Sequence, residues 1–222
     1  MDDSAPSPAT ELGLRPEISA WNQSQGKRVL DVLVSGSVVL CCLPLMAVAA
    51  LIVALTSAGP VLFRQIRSGQ GGRPFELLKF RSMTHRQNAA SPGVTRSGDT
   101  RITPVGRFLR RFKLDELPQL MNVLRGDMSL VGPRPDLPEF LQALVPEHRA
   151  LLELKPGLTG AATLQFRHEE ELLSAVSEKD LEEHYVTKVL PQKARLDVAY
   201  AERATWVSDL GIIWRTVLAL LQ

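Results

Sequence analysis

The sequence predicts an α+β fold that is mainly helical. Three observations lead to this prediction: a long uncharged apolar segment near the N-terminus, two strand-like runs around a glycine-rich interval, and apolar residues at helical spacing elsewhere. At 222 residues the chain is long enough for one substantial core. We therefore expect a flexible tail over residues 1–26, which contain three prolines and no hydrophobic periodicity, a membrane segment over 27–58 and one compact domain over 59–222.

The apolar segment covers residues 32–55 and contains 24 residues without a charge. A straight helix of that length crosses a hydrocarbon core of about 30 Å. Pro44 lies in its middle, removes one backbone donor and clashes with the preceding turn, so we expect the helix to break there. Each arm would then reach only about 16 to 18 Å, too short to span the membrane alone.

Basic residues flank the apolar segment on both sides. Lys27 and Arg28 precede it, and Arg64, Arg67 and Arg73 follow it. Because Lys and Arg tend to stay in the cytoplasm, a single crossing would have to export one of these clusters. A re-entrant helix-break-helix keeps both ends on the cytoplasmic side and is the topology that we favour, with a spanning helix as the alternative.

The elements that follow are a hairpin, a loop and several helices. Residues 61–66 and 75–80 flank a turn-rich interval and predict a β-hairpin, and the polar residues 84–100 predict a loop. Thr103 has the features of a helix N-cap, with Pro104 at the first helical position. The resulting helix is basic and amphipathic, which is typical of helices at a membrane interface and of helices packed on a core.

Two more helices are expected in the C-terminal direction. One begins at Asp115 and ends before Gly126, where the glycine suits a helix C-terminus. The other covers residues 206–221, with apolar residues at helical spacing. It is too short to span a bilayer and is interrupted by Arg215, so it is a core or interfacial helix.

The basic residues are concentrated in one part of the chain. Between Gly59 and Lys113, twelve Lys and Arg residues face only Glu76 and Asp99, a net charge of +10 in a chain whose total is +2. Such a segment can bind three kinds of anion: nucleic acid, anionic lipid headgroups or a phosphorylated substrate. We exclude nucleic acid, because the segment lacks interleaved aromatic residues and follows a membrane segment.

Asp115 and Glu116 are the best candidates for chemistry. Acids are common at helix N-termini, so a purely structural capping role is the alternative. At a first helical turn, however, both carboxylates can border one cavity. An ionised aspartate can attack phosphorus there, while a glutamate beside it binds a divalent cation or handles a proton.

Three basic residues are candidates for phosphate binding. Arg134 lies between Pro133 and Pro135, a stiff loop that fixes a guanidinium in a geometry suited to phosphate oxygens. The alternative interpretation, to which the sequence gives the same weight, is a rigid turn whose arginine faces solvent. Lys79 and Arg81 are two positions apart on a predicted strand and would share one face of the sheet.

Taken together, seven motifs closely resemble the bacterial sugar transferase family, the small monotopic phosphoglycosyl transferases. They run in order from about residue 27 to the C-terminus. The motifs are Lys27-Arg28 with Asp31, GPVLFRQ at 59–65, KFRSM at 79–83, RITPVGRFLR at 101–110, LDELPQL at 114–120, GDMSLVGPRP at 126–135 and KPGLTG at 155–160.

The resemblance implies an enzyme on the cytoplasmic face of the inner membrane. It implies a re-entrant helix, a compact cytosolic catalytic domain and transfer of a sugar 1-phosphate from a UDP-sugar to a polyprenyl (undecaprenyl) phosphate, as in exopolysaccharide assembly. Asp115 would form a covalent phosphosugar intermediate and release UMP, Glu116 would bind Mg²⁺, and Lys79, Arg110 and Arg134 would hold phosphates. A homodimer is compatible with the sequence.

The sequence leaves two questions open. Residues 161–170 depart from the common family pattern, so the resemblance does not identify the sugar. The alternative function is a membrane-surface binding or scaffold protein that uses its basic segment for anionic lipid.

Overall fold

A computed structural model describes residues 16–84, 98–144, 146–177 and 179–220. Most of the predicted tail and most of the predicted loop over 84–100 therefore lie outside the described residues. The last part of the predicted tail is ordered against the C-terminal helices. Ser19 N and Asn22 Nδ2 both donate to the carbonyl oxygen of Ala201, at 3.0 and 2.8 Å.

The described chain is mainly helical, as predicted, and short 3-10 helices and one π-helical turn at Tyr185–Val189 connect many of its elements. The strands are β1 (Leu62–Ser68), β2 (Pro74–Phe80), β3 (Ser129–Val131) and β4 (Gly157–Thr159). The α-helices are α1 (Gln25–Thr56), α2 (Pro104–Arg111), α3 (Gln119–Arg125), α4 (Ala161–Gln165), α5 (Glu169–Leu172), α6 (Leu181–His184), α7 (Leu190–Arg203) and α8 (Trp206–Leu220). The 3-10 helices are Ala20–Gln23, Gln70–Gly72, Leu114–Glu116, Pro138–Ala143, Pro146–Glu153 and Leu173–Ala175.

Helix α1 is long, apolar and continuous. Its N-cap is Ser24, whose hydroxyl accepts a hydrogen bond from Lys27 N at 3.1 Å. Its 32 residues correspond to about 48 Å, more than a hydrocarbon core requires. The predicted break at Pro44 is absent. A proline removes only one intrahelical hydrogen bond, and the helix continues through the apolar residues on both sides of it. The re-entrant topology stays a prediction.

Many apolar side chains along α1 are exposed. Leu40 is 74% exposed and Leu55 is 77% exposed. Among the described residues, α1 is the one helix that is long and apolar enough to cross a membrane. A large exposed apolar surface of this kind is typical of regions that meet a membrane or another protein.

The N-terminal end of α1 is fixed to the rest of the protein by polar side chains. Lys27 forms a buried ion pair with Asp209 of α8. Arg28 donates to the carbonyl oxygens of Val123 and Leu124, at 2.6 and 2.7 Å, and so satisfies the C-terminal carbonyls of α3. These contacts fix this end of α1 to α3 and α8.

The predicted hairpin is confirmed. Strands β1 and β2 are antiparallel, with Leu62 opposite Phe80 and Ser68 opposite Pro74. Strands β3 and β4 form a separate parallel pair of three residues each, too short for the sequence pattern to predict.

The predicted helices are also present. Thr103 is the N-cap of α2 and accepts a hydrogen bond from Gly106 N at 2.8 Å. Helix α3 ends before Gly126 as predicted, with that glycine at a φ of 94°. It begins at Gln119 rather than at Asp115, because Leu114–Glu116 form a 3-10 turn and Pro118 immediately precedes the helix.

Three groups of buried apolar residues form the core. One group joins β2, α3 and β3 to α8 and includes Leu77, Val123 and Ile212. A second group packs the end of α1 against the hairpin and α2. The third lies among the C-terminal helices and the 3-10 segments before them. The candidate site lies where α2, β2 and the loop after β3 meet.

Candidate active site

Asp115 and Glu116 lie in a tight turn between α2 and α3. The turn begins at Lys113, whose φ of 53° makes it the one non-glycine residue with a left-handed backbone in the described ranges. Left-handed lysine is unfavourable and is found where surrounding packing enforces it. Here α2 packs closely on the end of β2, since a Cβ on Gly106 would lie 1.9 Å from the carbonyl oxygen of Ser82.

The Glu116 side chain joins two basic residues from distant parts of the chain. Its Oε1 accepts a hydrogen bond from Lys79 Nζ at 3.0 Å and from Arg134 Nη2 at 2.7 Å. Asp115 lies beside it and is only 3% exposed. Its buried Oδ1 has no hydrogen-bond partner. The structure thus brings together four of the predicted site residues: Lys79, Asp115, Glu116 and Arg134.

The two carboxylates have opposite pKa shifts. Burial, together with the charge of Glu116, raises the pKa of Asp115 above its usual value, although Lys79 and Arg110 partly oppose this shift. Burial alone would also raise the pKa of Glu116, but the charges of Arg134 and Lys79 outweigh it and hold that pKa well below its usual value. Glu116 is therefore the firmly ionised member of the pair, and Asp115 is the more basic one.

The loop that carries Arg134 is fixed by glycines that allow close backbone contact. Gly132 N donates to the carbonyl oxygen of Thr159 at 3.0 Å, and Gly157 N donates to that of Pro133 at 2.7 Å. A Cβ on Gly132 would lie 2.6 Å from the carbonyl oxygen of Lys155. Because glycine has no side chain, the loop can lie directly on β4, and this position turns Arg134 toward Glu116.

Lys79 is positioned by the contact between β2 and α3. Asn122 of α3 is fully buried and accepts a hydrogen bond from Leu78 N at 3.1 Å. Its amide nitrogen also donates to the carbonyl oxygen of Glu76 at 2.8 Å. This side chain ties the strand to the helix that follows the dyad, and so fixes the distance between Lys79 and Glu116.

The other two predicted phosphate ligands are not bonded to Glu116. Arg110, in the last turn of α2, forms an ion pair with Glu170. Arg81 donates to the carbonyl oxygens of Val53 and Ser57, at 3.1 and 2.6 Å, and to that of Pro60. Its guanidinium therefore satisfies the C-terminal end of α1 and does not join the cluster around Glu116. The expected sheet face is not shared, because β2 ends at Phe80.

A buried polar network, which the sequence does not predict, lies next to Arg134. Tyr185 donates to Asp136 Oδ1 at 2.8 Å, and Lys193 donates to Tyr185 Oη at 3.0 Å and to Glu169 Oε2 at 2.8 Å. Burial raises the pKa of the neighbouring Asp197 to about 7, with only partial compensation from the hydrogen bond of Ala162 N. These residues are scattered along the sequence, and nothing in their local pattern distinguishes them from surface residues.

This network borders a small cavity beside the Arg134 loop. The cavity has a volume of about 60 Å³ and is lined by Arg134, Asp136, Lys193 and Asp197 together with apolar side chains. That volume is enough for several water molecules.

The two carboxylates of the dyad could hold Mg²⁺ only together with oxygens of a substrate or water. Within the described residues no group of three or more His, Cys, Asp or Glu side chains lies close enough to hold a metal by itself. Mg²⁺ is usually bound by one or two carboxylates together with substrate phosphates and water, and Asp115 and Glu116 supply that number. The unpartnered Oδ1 of Asp115 is a free acceptor at this place.

Comparison with known proteins places the chain in a family. The family model of bacterial sugar transferases matches residues 22–222. The UDP-glucose:undecaprenyl-phosphate glucose-1-phosphate transferase of Caulobacter vibrioides is 41% identical over 198 residues, 88% of this chain and 69% of that protein. The uncharacterized sugar transferase EpsL of Bacillus subtilis is 37% identical over 196 residues, 88% of this chain and 87% of that protein.

Some relatives are much longer than this chain, which matches only part of their length. The UDP-glucose:undecaprenyl-phosphate glucose-1-phosphate transferase of Escherichia coli is 40% identical over 195 residues, which are 86% of this chain but only 39% of that protein. The chain belongs to the bacterial sugar transferase family.

Proposed function

We propose that the protein transfers a sugar 1-phosphate from a UDP-sugar to undecaprenyl phosphate, with Asp115 as nucleophile. The observation that carries this proposal is the arrangement of the dyad. A buried, unpartnered and basic carboxylate lies beside a second carboxylate that two cations hold ionised. The names of the relatives support the same reaction, since several are undecaprenyl-phosphate glucose-1-phosphate transferases.

In the first step a carboxylate oxygen of Asp115 attacks the β-phosphorus of the UDP-sugar. The bond between that phosphorus and the bridging oxygen breaks, and UMP leaves with the electron pair. The product is a phosphosugar joined to Asp115 through an acyl phosphate bond. Because burial raises the basicity of Asp115, its deprotonated form is a better nucleophile than an exposed aspartate.

In the second step an oxygen of undecaprenyl phosphate attacks the same phosphorus. The acyl phosphate bond breaks, Asp115 is restored, and the sugar remains on the lipid through a diphosphate. Both steps bring two anions together, so positive charge must offset the repulsion. Lys79 and Arg134 supply part of it, and Mg²⁺ bound by Glu116 would supply the rest by binding diphosphate oxygens.

We place the site at headgroup depth on the cytoplasmic face of the inner membrane. Helix α1 supplies the apolar anchor, and four aromatic side chains elsewhere are exposed: Phe108 on α2, Phe112 directly after it, and Trp206 and Trp214 on α8. Aromatic side chains of this kind are typical of membrane interfaces. The position suits an acceptor whose phosphate lies at the membrane surface and whose chain lies in the bilayer.

The test is UMP release by the full-length protein in detergent, with undecaprenyl phosphate, Mg²⁺ and a panel of UDP-sugars. UDP-glucose and UDP-N-acetylgalactosamine come first, because relatives are named for glucose and for N-acetylgalactosamine. We expect release with at least one sugar and none with Asp115→Asn. Asp180→Asn, a matched change at an exposed aspartate, should retain activity. Full activity of Asp115→Asn would exclude the proposed nucleophile.

A further inference from the structure

The short helix α5 places two neighbouring acidic side chains against basic residues near the site. Glu170 forms an ion pair with Arg110 of α2, and Glu169 Oε2 accepts a hydrogen bond from Lys193 of α7 at 2.8 Å. None of the four residues of α5 is buried. The ion pairs, rather than apolar packing, therefore determine where these carboxylates lie.

Arg110 interacts both with Glu170 and with the dyad. It belongs to the last turn of α2, five positions before Asp115, and its charge is close enough to lower the pKa of that aspartate. Its side chain is 21% exposed, whereas that of Glu170 is 42% exposed. The carboxylate is thus on the solvent side of the pair and can move away into water at little cost, while the arginine remains at the site.

The chemistry of this pair matches the chemistry of substrate binding. A guanidinium presents the same pair of donors to a carboxylate and to a phosphate. In the substrate-free protein the donors of Arg110 face Glu170, whereas a nucleotide diphosphate carries more charge and offers more acceptor oxygens. The two anions therefore compete for one cation.

We infer that Glu170 is a displaceable counter-ion of Arg110, which it holds beside Asp115 in the free protein and releases to the diphosphate of the incoming nucleotide sugar. This inference rests on the proposed function, because it assumes that Arg110 binds a phosphate of the donor. It assigns to α5 a role in setting donor affinity. It also gives a reason for an acidic segment beside a site that binds anions.

Removing the competing carboxylate should tighten diphosphate binding. The pair is partly exposed, so its contribution is modest, and we expect Glu170→Gln to lower the Kd for UDP about two- to fivefold. The gain should shrink at high salt, because salt screens the exposed pair in the wild-type protein. Glu171 provides a matched control, since it is the next residue, has the same charge and is 73% exposed.

The experiment measures UDP binding to the full-length protein in detergent with Mg²⁺, by calorimetry, for a set of variants. We expect tighter binding by Glu170→Gln and an unchanged Kd for Glu171→Gln. Arg110→Gln should weaken binding, and adding Glu170→Gln to it should then have no further effect, as a double-mutant cycle requires of a direct pair.

Equal affinities of Glu170→Gln and Glu171→Gln would overturn the inference, as would weaker binding by Glu170→Gln or a gain that persists without Arg110. These results would leave the proposed function intact, because the wild-type protein would still bind UDP. If the wild-type protein binds no UDP at all, the proposed function fails, and the role of Glu170 fails with it.

Discussion

Asp115 combines a buried position, a missing hydrogen-bond partner and a carboxylate neighbour. Each of these features is unfavourable for a charged group, so the residue is placed at a cost to stability. Sites that perform chemistry often contain such groups, since activity and stability make opposing demands. The sequence could indicate the pair of acids but not their unequal surroundings, which arise from residues 18 to 37 positions away in the chain.

We predict that Asp115→Asn stabilises the fold by about 1 kcal/mol at neutral pH while it abolishes UMP release. The pKa of Asp115 is raised on folding, so the folded state binds its proton more tightly than the unfolded state does. Ionised Asp115 therefore lowers the free energy of unfolding. This loss is absent below the usual aspartate pKa and is complete above the raised pKa of the folded protein. Chemical unfolding of both proteins in detergent, at pH 7 and at pH 3, measures the difference. A destabilised variant at pH 7 would contradict this account of Asp115.

Glu116 should behave in the opposite way. Its pKa is lowered on folding, so its ion pairs stabilise the protein above the usual glutamate pKa and lose this effect as the pH falls through the lowered value. Glu116→Gln leaves Lys79 and Arg134 without their shared carboxylate, and we expect it to lower the free energy of unfolding by about 3 kcal/mol at pH 7. Urea denaturation at pH 7 tests this. A loss below 0.5 kcal/mol would show that the three groups do not form a coupled cluster.

At the scale of elements, the sequence predicts local features well, but it predicts poorly where one element ends and the next begins and which distant strands pair. The N-cap at Thr103, the hairpin and the end of α3 before Gly126 follow from short-range chemistry. The start of α3 and the continuity of α1 through Pro44 do not, because a proline permits more than one outcome and its surroundings decide among them. The parallel pair of β3 and β4 is held by glycine contacts over a long sequence separation, which periodicity does not show.

Arg81 illustrates the same limit. Its place two residues after Lys79 suggested a shared sheet face, but the strand ends between them and its guanidinium turns to the C-terminal end of α1. We predict that Arg81→Gln lowers the free energy of unfolding by about 2 to 3 kcal/mol, since it leaves buried carbonyl groups without donors. The KM for the UDP-sugar should change less than twofold. Unfolding and steady-state kinetics of one preparation measure both, and a large increase in KM with unchanged stability would restore Arg81 as a phosphate ligand.

At the scale of the whole molecule, α1 and the exposed aromatic residues determine how the protein meets the membrane. Polar contacts fix the N-terminal end of α1 to α3 and α8, and apolar contacts pack one face of its C-terminal half against the hairpin and α2, while its other faces expose apolar side chains. The flanking basic residues favour insertion with both ends in the cytoplasm, whereas the length of the continuous helix would also allow a crossing. The charge pattern therefore favours the re-entrant topology, and the length of the helix is compatible with a crossing.

Labelling of engineered cysteines distinguishes the two topologies. We propose single cysteines at Ala20 and at Gln70, one on each side of α1, in a background in which Cys41 and Cys42 are replaced by serine. The re-entrant model predicts that an impermeant thiol reagent applied to intact cells labels neither position, and that both react after lysis. Labelling of either position in intact cells would show that α1 spans the membrane.

The central claim is that Asp115 carries the phosphosugar between the two substrates. Its most direct test incubates the protein with Mg²⁺ and the preferred UDP-sugar in the absence of undecaprenyl phosphate, followed by acid quench and peptide mass spectrometry. The account predicts a phosphosugar on the peptide that contains Asp115, together with an equal amount of released UMP. UMP release that requires the lipid acceptor, with no modified peptide, would contradict it.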